Sequence, residues 1–238
     1  MTLLRDHAES LLGLRLSETQ EAHFERYAQE LQEWNTRINL TAITEPNAIA
    51  IRHFLDSLTV VKVIGFDDGD KLIDVGTGAG FPGLPLAIMF PNVRVTLMEA
   101  TGKKLTFIQH VVDTLGLTNV TTLHARAEDA GQDEAHRGQY DVVLARAVAR
   151  LPVLLEYMLP LAKVGGFCLA MKGATALEEI ADSKRALFVL HGEVQAPLTV
   201  RLPFVEDDHY LVTVQKLAKT PKTYPRKAGL PAKKPIGT

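Results

Sequence analysis

One cysteine, Cys168, and one tryptophan are all that 238 residues contain of either type. A single thiol excludes an intramolecular disulfide framework and a four-cysteine zinc site. The HExxH and His-Cys-Cys patterns are missing, so no metal is expected. No apolar run approaches the roughly 18 residues of a membrane helix. Arg5, Asp6 and Glu9 come before any apolar stretch, which does not read as a secretory signal peptide. The expectation is a cytoplasmic protein with no membrane association. Hydrophobic residues at 46% and charged residues at 23% fit a globular chain and exclude a disordered, collagen-like or mucin-like one.

Charge is unevenly placed. Residues 216–238 hold Lys216, Lys219, Lys222, Arg226, Lys227, Lys233 and Lys234 and no acid, which leaves 19 basic and 28 acidic groups in the rest. A basic tail on an acidic body suggests a polyanion partner, and a solubilising tail is the alternative. Pro221, Pro225, Pro231 and Pro235 oppose a regular helix, so the tail should be extended and partly ordered at most.

The front third reads as helices. Ser17 and Gln20 form a capping-box pattern. Phe24, Tyr27, Leu31, Trp34 and Ile38 then recur on one helical face, as core residues. Pro46 opens another helix, with Arg52, His53 and Asp56 decorating its apolar stripe. From Lys71 the period changes. Strands at 72–75, 93–98, 120–123, 140–145 and 166–171 alternate with helical patterns at 102–115 and 151–161, an α/β alternation. Late strands at 187–195 and 210–215 are expected to pair antiparallel at one edge.

The chemical anchor is Asp74-Val75-Gly76-Thr77-Gly78-Ala79-Gly80-Phe81-Pro82-Gly83, between a strand and a helix. Glycines there let the backbone turn and approach a ligand. Gly78, Gly80 and Gly83 match the dinucleotide fingerprint formally, so an NAD-dependent dehydrogenase stays open. Three features favour S-adenosylmethionine. Asp74 suits a cationic ligand better than a pyrophosphate. The formal fingerprint starts two residues late. Ala127-Glu128 follows the third strand, where an acid can reach an adenine amino group. Glu99 ends the second strand and can accept from both ribose hydroxyls. Arg146 ends the fourth strand and can orient an acceptor base or a phosphate, or pair with Asp141 or Glu128. Cys168 lies in an apolar strand, which argues against cysteine catalysis.

Several pieces in order carry a resemblance. They are Trp34–Thr41, Arg52–Leu58, Asp74–Pro85, Arg126-Ala127-Glu128, Ala145–Ala149, Met171-Lys172-Gly173, Tyr224–Gly229 and Pro231–Pro235. Together the chain resembles the bacterial RsmG (GidB) family. The resemblance implies a Rossmann-like class I S-adenosylmethionine-dependent methyltransferase with an N-terminal helical extension. It implies methyl transfer to N7 of a guanine in the 530 loop of 16S rRNA, with that rRNA or the small ribosomal subunit as partner. It places cofactor contacts at Gly76, Phe81, Ala127, Glu128 and Arg146; loop and strand geometry adds Gly78 and Glu99. The expected organisation is a helical extension over 1–65, a methyltransferase domain over 66–217 and a tail over 218–238, in a monomer with no obligate protein partner. A non-catalytic RNA-binding assembly factor is the competing reading.

Overall fold

The computed structural model describes residues 1–237. Two helices come first, α1 (Thr2–Leu12) and α2 (Glu18–Asn35). The Ser17 hydroxyl accepts from Gln20 N and the Gln20 side chain accepts from Ser17 N, so the predicted capping box forms. α3 (Pro46–Ile49) follows, with Pro46 in its first turn. It runs into a π-helical turn (Ala50–Leu55), α4 (Asp56–Leu58) and a 3-10 turn (Thr59–Lys62).

The sheet begins with β1 (Lys71–Val75), then α5 (Gly83–Met89), β2 (Arg94–Glu99), α6 (Gly102–Leu115), β3 (Val120–His124), α7 (Ala127–Ala130), β4 (Tyr140–Arg146), α8 (Leu151–Met158) and β5 (Ala162–Lys172). α9 (Ala176–Asp182), α10 (Lys184–Leu190), β6 (Gly192–Val194), β7 (Leu198–Val200), β8 (His209–Lys216) and α11 (Leu230–Lys233) complete it. The strand order is β3-β2-β1-β4-β5-β8-β6, with β7 also on β8. β1 to β5 are parallel, while β8 runs antiparallel between β5 and β6. This is the Rossmann-like methyltransferase architecture, with its helical N-terminal region. Order reverses between β1 and β4, and open α/β sheets bind ligands beyond the carboxyl ends of strands at such a point.

Successive strand residues face opposite layers. Leu72, Leu97, Leu144 and Leu169 pack with α1, α2, α5 and α6 residues in one apolar cluster. Ile73, Val143, Ala145 and Cys168 pack with α8 and α10 in another. Each fully buried Leu or Ile contributes roughly 1.5–3 kcal/mol. Residues of the N-terminal helices, Leu4, Phe24, Tyr27 and Leu31 among them, share the first cluster with the sheet.

Two expectations are corrected. Residues 187–195 are not one strand. Ala186, Leu187 and Leu190 recur at helical spacing and are buried, so α10 forms; His191, at φ 60°, ends it before the three-residue β6. The tail is not loosely held. Arg137 donates to the carbonyls of Thr220 (2.8 Å), Pro221 (3.1 Å) and Tyr224 (2.7 Å). Pro231 and Ile236 are buried. Arg226 forks onto the fully buried Glu156, at 2.9 and 2.6 Å. Lys216 lies in β8, where its buried ammonium donates to Thr220 Oγ1 (2.6 Å) and to the Leu159 carbonyl. Burial pushes its pKa down to about 8. Two of the seven tail cations therefore serve the fold rather than an outer surface.

Candidate functional site

The glycine loop follows β1, and its shape is held from inside by carboxylates. Asp74 is fully buried. Its Oδ2 accepts from Thr77 Oγ1 (2.6 Å) and Gly83 N (2.9 Å). Its Oδ1 is buried and has no hydrogen-bond partner among the described residues. Burial pushes the Asp74 pKa up to about 6, against the pull of these donors and of Arg146. Glu99 is also buried, with Oε2 accepting from Gly78 N (3.0 Å) and Oε1 from Thr101 N (2.8 Å).

The loop glycines differ in role. At Gly80, with φ +101°, an added Cβ would lie 2.5 Å from Tyr27 Oη and would also strike Leu84. At Gly76 it would meet Val148 at 2.9 Å. At Gly78, with φ +64°, its nearest neighbour would be Gly76 O at 4.0 Å. Gly80 is therefore required by packing. Gly78 borders open space and is constrained by its left-handed backbone alone.

The N-terminal helices supply a wall. Tyr27 Oη donates to Ala79 O (2.5 Å) and its ring stacks on Phe81, centroids 5.4 Å apart. His53 also stacks on Phe81, at 4.4 Å and 17°. Arg146 lies over the same ring, 5.0 Å from its centroid. Its Nη1 donates to Asp56 Oδ2 (2.8 Å) and Arg52 O (3.2 Å), and its Nη2 approaches His53 Nδ1 (3.3 Å). The partner is thus Asp56, not the Asp141 or Glu128 weighed from sequence. Arginine has no acceptor, so His53 Nδ1 accepts, and its Nε2–H donates to Thr41 Oγ1 (2.8 Å). Burial first, then the Arg146 charge, lowers the His53 pKa to about 4, in keeping with a neutral ring.

His53 and Asp56, expected beside the apolar stripe of the helix that Pro46 opens, are themselves buried. The π-helical turn changes the residue period and brings both inward. Such turns occur often at functional sites. Asp56 Oδ1 binds His209 Nδ1 (3.0 Å), the first residue of β8. Burial raises the Asp56 pKa, but the His209 and Arg146 contacts outweigh it and hold the carboxyl below its usual range.

Ala127 and Glu128 begin α7 directly after β3. Glu128 is buried, and its Oε1 accepts from Gly229 N of the tail (2.8 Å). Cys168 is buried and burial pushes its thiol up to about 12, so it remains a thiol.

Gly76, Gly78, Phe81, Glu99, Ala127, Glu128 and Arg146 all lie at or just beyond the carboxyl ends of β1 to β4. Sequence reasoning missed Tyr27 as a site wall and missed His209. No periodicity marks a lone histidine opening a late strand.

The chain is similar to known proteins along most of its length. The family model "GidB: rRNA small subunit methyltransferase G" matches residues 20–203. "Ribosomal RNA small subunit methyltransferase G" of Desulforamulus reducens is 45% identical over 236 residues, covering 99% of this chain and 98% of that protein. The protein of the same name from Lactobacillus johnsonii is 47% identical over 228 residues, covering 94% and 95%. Among solved structures, a precorrin-6y C5,15-methyltransferase from Geobacter metallireducens matches with a TM-score of 0.52 at 18% identity, covering 75% of this chain and 92% of that one. A 16S rRNA (adenine(1408)-N(1))-methyltransferase from Catenulisporales acidiphilia gives 0.51 at 18%, covering 63% and 87%. These two likenesses speak to the fold alone. The extent and identity of the sequence matches settle the assignment: the chain belongs to the GidB family, rRNA small subunit methyltransferase G.

Proposed function

We propose that this protein transfers a methyl group from S-adenosylmethionine to N7 of a guanine in the 530 loop of bacterial 16S rRNA. Family membership supports the reaction and the rRNA. The base and the loop rest on the family resemblance. The observation that carries the cofactor reading is Asp74 Oδ1, a buried carboxylate oxygen beside the glycine loop with no partner among the described residues. An unmet buried acceptor fits a cationic donor and repels a pyrophosphate.

Gly76, Gly78 and Phe81 would floor the cofactor cleft. Glu99 uses one lone pair of each oxygen on the backbone, which leaves capacity for two ribose hydroxyls. Ala127 and Glu128 would border the adenine, with Gly229 fixing the Glu128 carboxylate. When bound, S-adenosylmethionine supplies a methyl carbon on a positively charged sulphur. Guanine N7 carries a lone pair and no proton, so attack there needs no general base. The protein's contribution is then positioning and electrostatics. Arg146, on the boundary between loop and acceptor side, would order that boundary through Asp56 and Phe81.

The test is mapping of N7-methylguanosine after incubation with S-adenosylmethionine and either naked 16S rRNA or 30S particles. One modified guanine in the 530 loop is expected in at least one arm. Absence of that modification from both arms overturns the reading.

A further inference from the structure

A cavity of about 230 Å³ opens beyond the carboxyl ends of β4 and β5, lined by Asp56, Arg146, Ala147, Lys172, His209 and Tyr210 among others. Drug-sized sites run roughly 300–1,000 Å³, so this one suits a single ring system. It lies on the far side of Arg146 from the glycine loop along the strand order. Its polar groups are mostly committed. Lys172 is held by Glu179 (2.7 Å) and Ala149 O (2.9 Å), and Arg146 spends Nη1 on two acceptors and Nη2 on His53.

His209 differs. Its Nδ1 is anchored by Asp56, and its Nε2 has no partner among the described residues. We propose that this cavity receives the acceptor base and that His209 reads guanine there, donating from Nε2 to O6. The proposal rests on the methyltransferase reading above and names the residue that selects its base. The Asp56 carboxylate, 3.0 Å from Nδ1, pairs with the ring as its cation, the form in which both nitrogens donate; this contact raises the His209 pKa against burial and the Arg146 and Arg52 charges. Guanine presents an acceptor at position 6. Adenine presents an amino donor there, which would face the His209 N–H donor to donor. A site built to bond one group rejects an analogue lacking it, because the polar group that the bound base covers is then left unmatched. Asp56 then has two tasks on its two oxygens: Oδ2 holds Arg146 and Oδ1 aims His209.

The experiment uses full-length protein and target RNA assembled by ligation with guanine, inosine or 2-aminopurine at the modified position. Inosine keeps O6 and lacks the 2-amino group; 2-aminopurine lacks O6 and keeps N7. Single-turnover methyl transfer by wild type should be similar for guanine and inosine and at least tenfold slower for 2-aminopurine. His209→Ala should slow guanine about tenfold or more and leave 2-aminopurine nearly unchanged, so the ratio collapses. His209→Gln keeps an N–H donor and should restore part of it. Calorimetric S-adenosylmethionine affinity near wild type confirms that both variants are folded. A guanine to 2-aminopurine ratio that is unchanged in both variants, or no discrimination by wild type, overturns the proposal. No methylation of guanine by wild type instead defeats the methyltransferase reading itself.

Discussion

Arg146 and Phe81 are in direct cation–π contact, 5.0 Å from guanidinium carbon to ring centroid. Phe81 belongs to the loop after β1, and Arg146 ends β4. The contact therefore joins the two strands between which the sheet reverses its order. Asp56 and His53 reach into the same junction from the N-terminal region. Arg146→Ala removes one of the two partners of the buried Asp56 carboxylate, and breaking a buried pair costs up to roughly 3–5 kcal/mol. We expect a lower denaturation midpoint and a methyl-transfer rate at least a hundredfold down, with RNA affinity changed by only a few-fold. Urea unfolding, single-turnover kinetics and RNA titration check these together. An unchanged rate at saturating RNA and cofactor rejects the assignment.

Gly78 and Gly80 separate binding from folding. Gly80→Ala drives a Cβ into Tyr27 and Leu84 and should cost roughly 1–3 kcal/mol of stability. Gly78→Val meets no protein wall, but takes up the space above the loop and strains a left-handed backbone. Its stability should fall by about 1–2 kcal/mol, and its S-adenosylmethionine affinity by tenfold or more. Calorimetry on both variants decides this; normal affinity in Gly78→Val contradicts the cleft's placement.

His53 sets a pH signature. Its folded pKa, about 4, lies below the ordinary value of 6.5. The unfolded chain therefore binds its proton first as pH falls. The neutral-ring stabilisation is complete above about pH 6.5 and is lost between there and about pH 4, roughly 3 kcal/mol in all. Asp74 works in the opposite direction over much of that range, because its pKa is raised to about 6. The readout is thus a difference. Wild type minus His53→Gln, measured by urea unfolding, should narrow steadily from pH 7 to pH 4. A constant difference argues against a buried neutral ring.

Lys227, Lys233 and Lys234 are exposed, whereas Arg226 is bound to Glu156. Replacing the three lysines with glutamine should weaken RNA binding and reduce the log–log salt slope by about 2. Isolated cofactor affinity should stay near wild type. Arg226→Gln should act mainly on stability, because it leaves Glu156 buried and unpaired. Superimposable salt curves for the triple variant and wild type would rule out phosphate contacts.

Local patterns were legible in the sequence. The capping box at Ser17, helix 102–115 and the loop between β1 and α5 follow from neighbouring residues and appear as expected. Distant partnerships were not. Asp56 meets His209 across 153 positions, and Glu156 meets Arg226 across 70. Neither pairing leaves a trace in periodicity or composition. The inward turn of His53 depends on a π-helical step that a 3.6-residue pattern does not anticipate. Residues 187–190, expected to open a strand over 187–195, misled because a helical stripe and a buried strand share Leu, Phe and Val.

β8 is the last strand among the described residues, yet it lies between β5 and β6. A chain emerging from its N-terminus therefore makes β5 with no neighbour on that edge, and β6 with none to join. Both wait for residues 209–216. His209 and Tyr210, which line the cavity beside Arg146, arrive in that same segment. The Gly229 partner of Glu128 arrives later still. Domains generally fold as units during synthesis. Here the unit closes only once residues 209–229 have been made, so a nascent chain holds its glycine loop well before it holds a finished site.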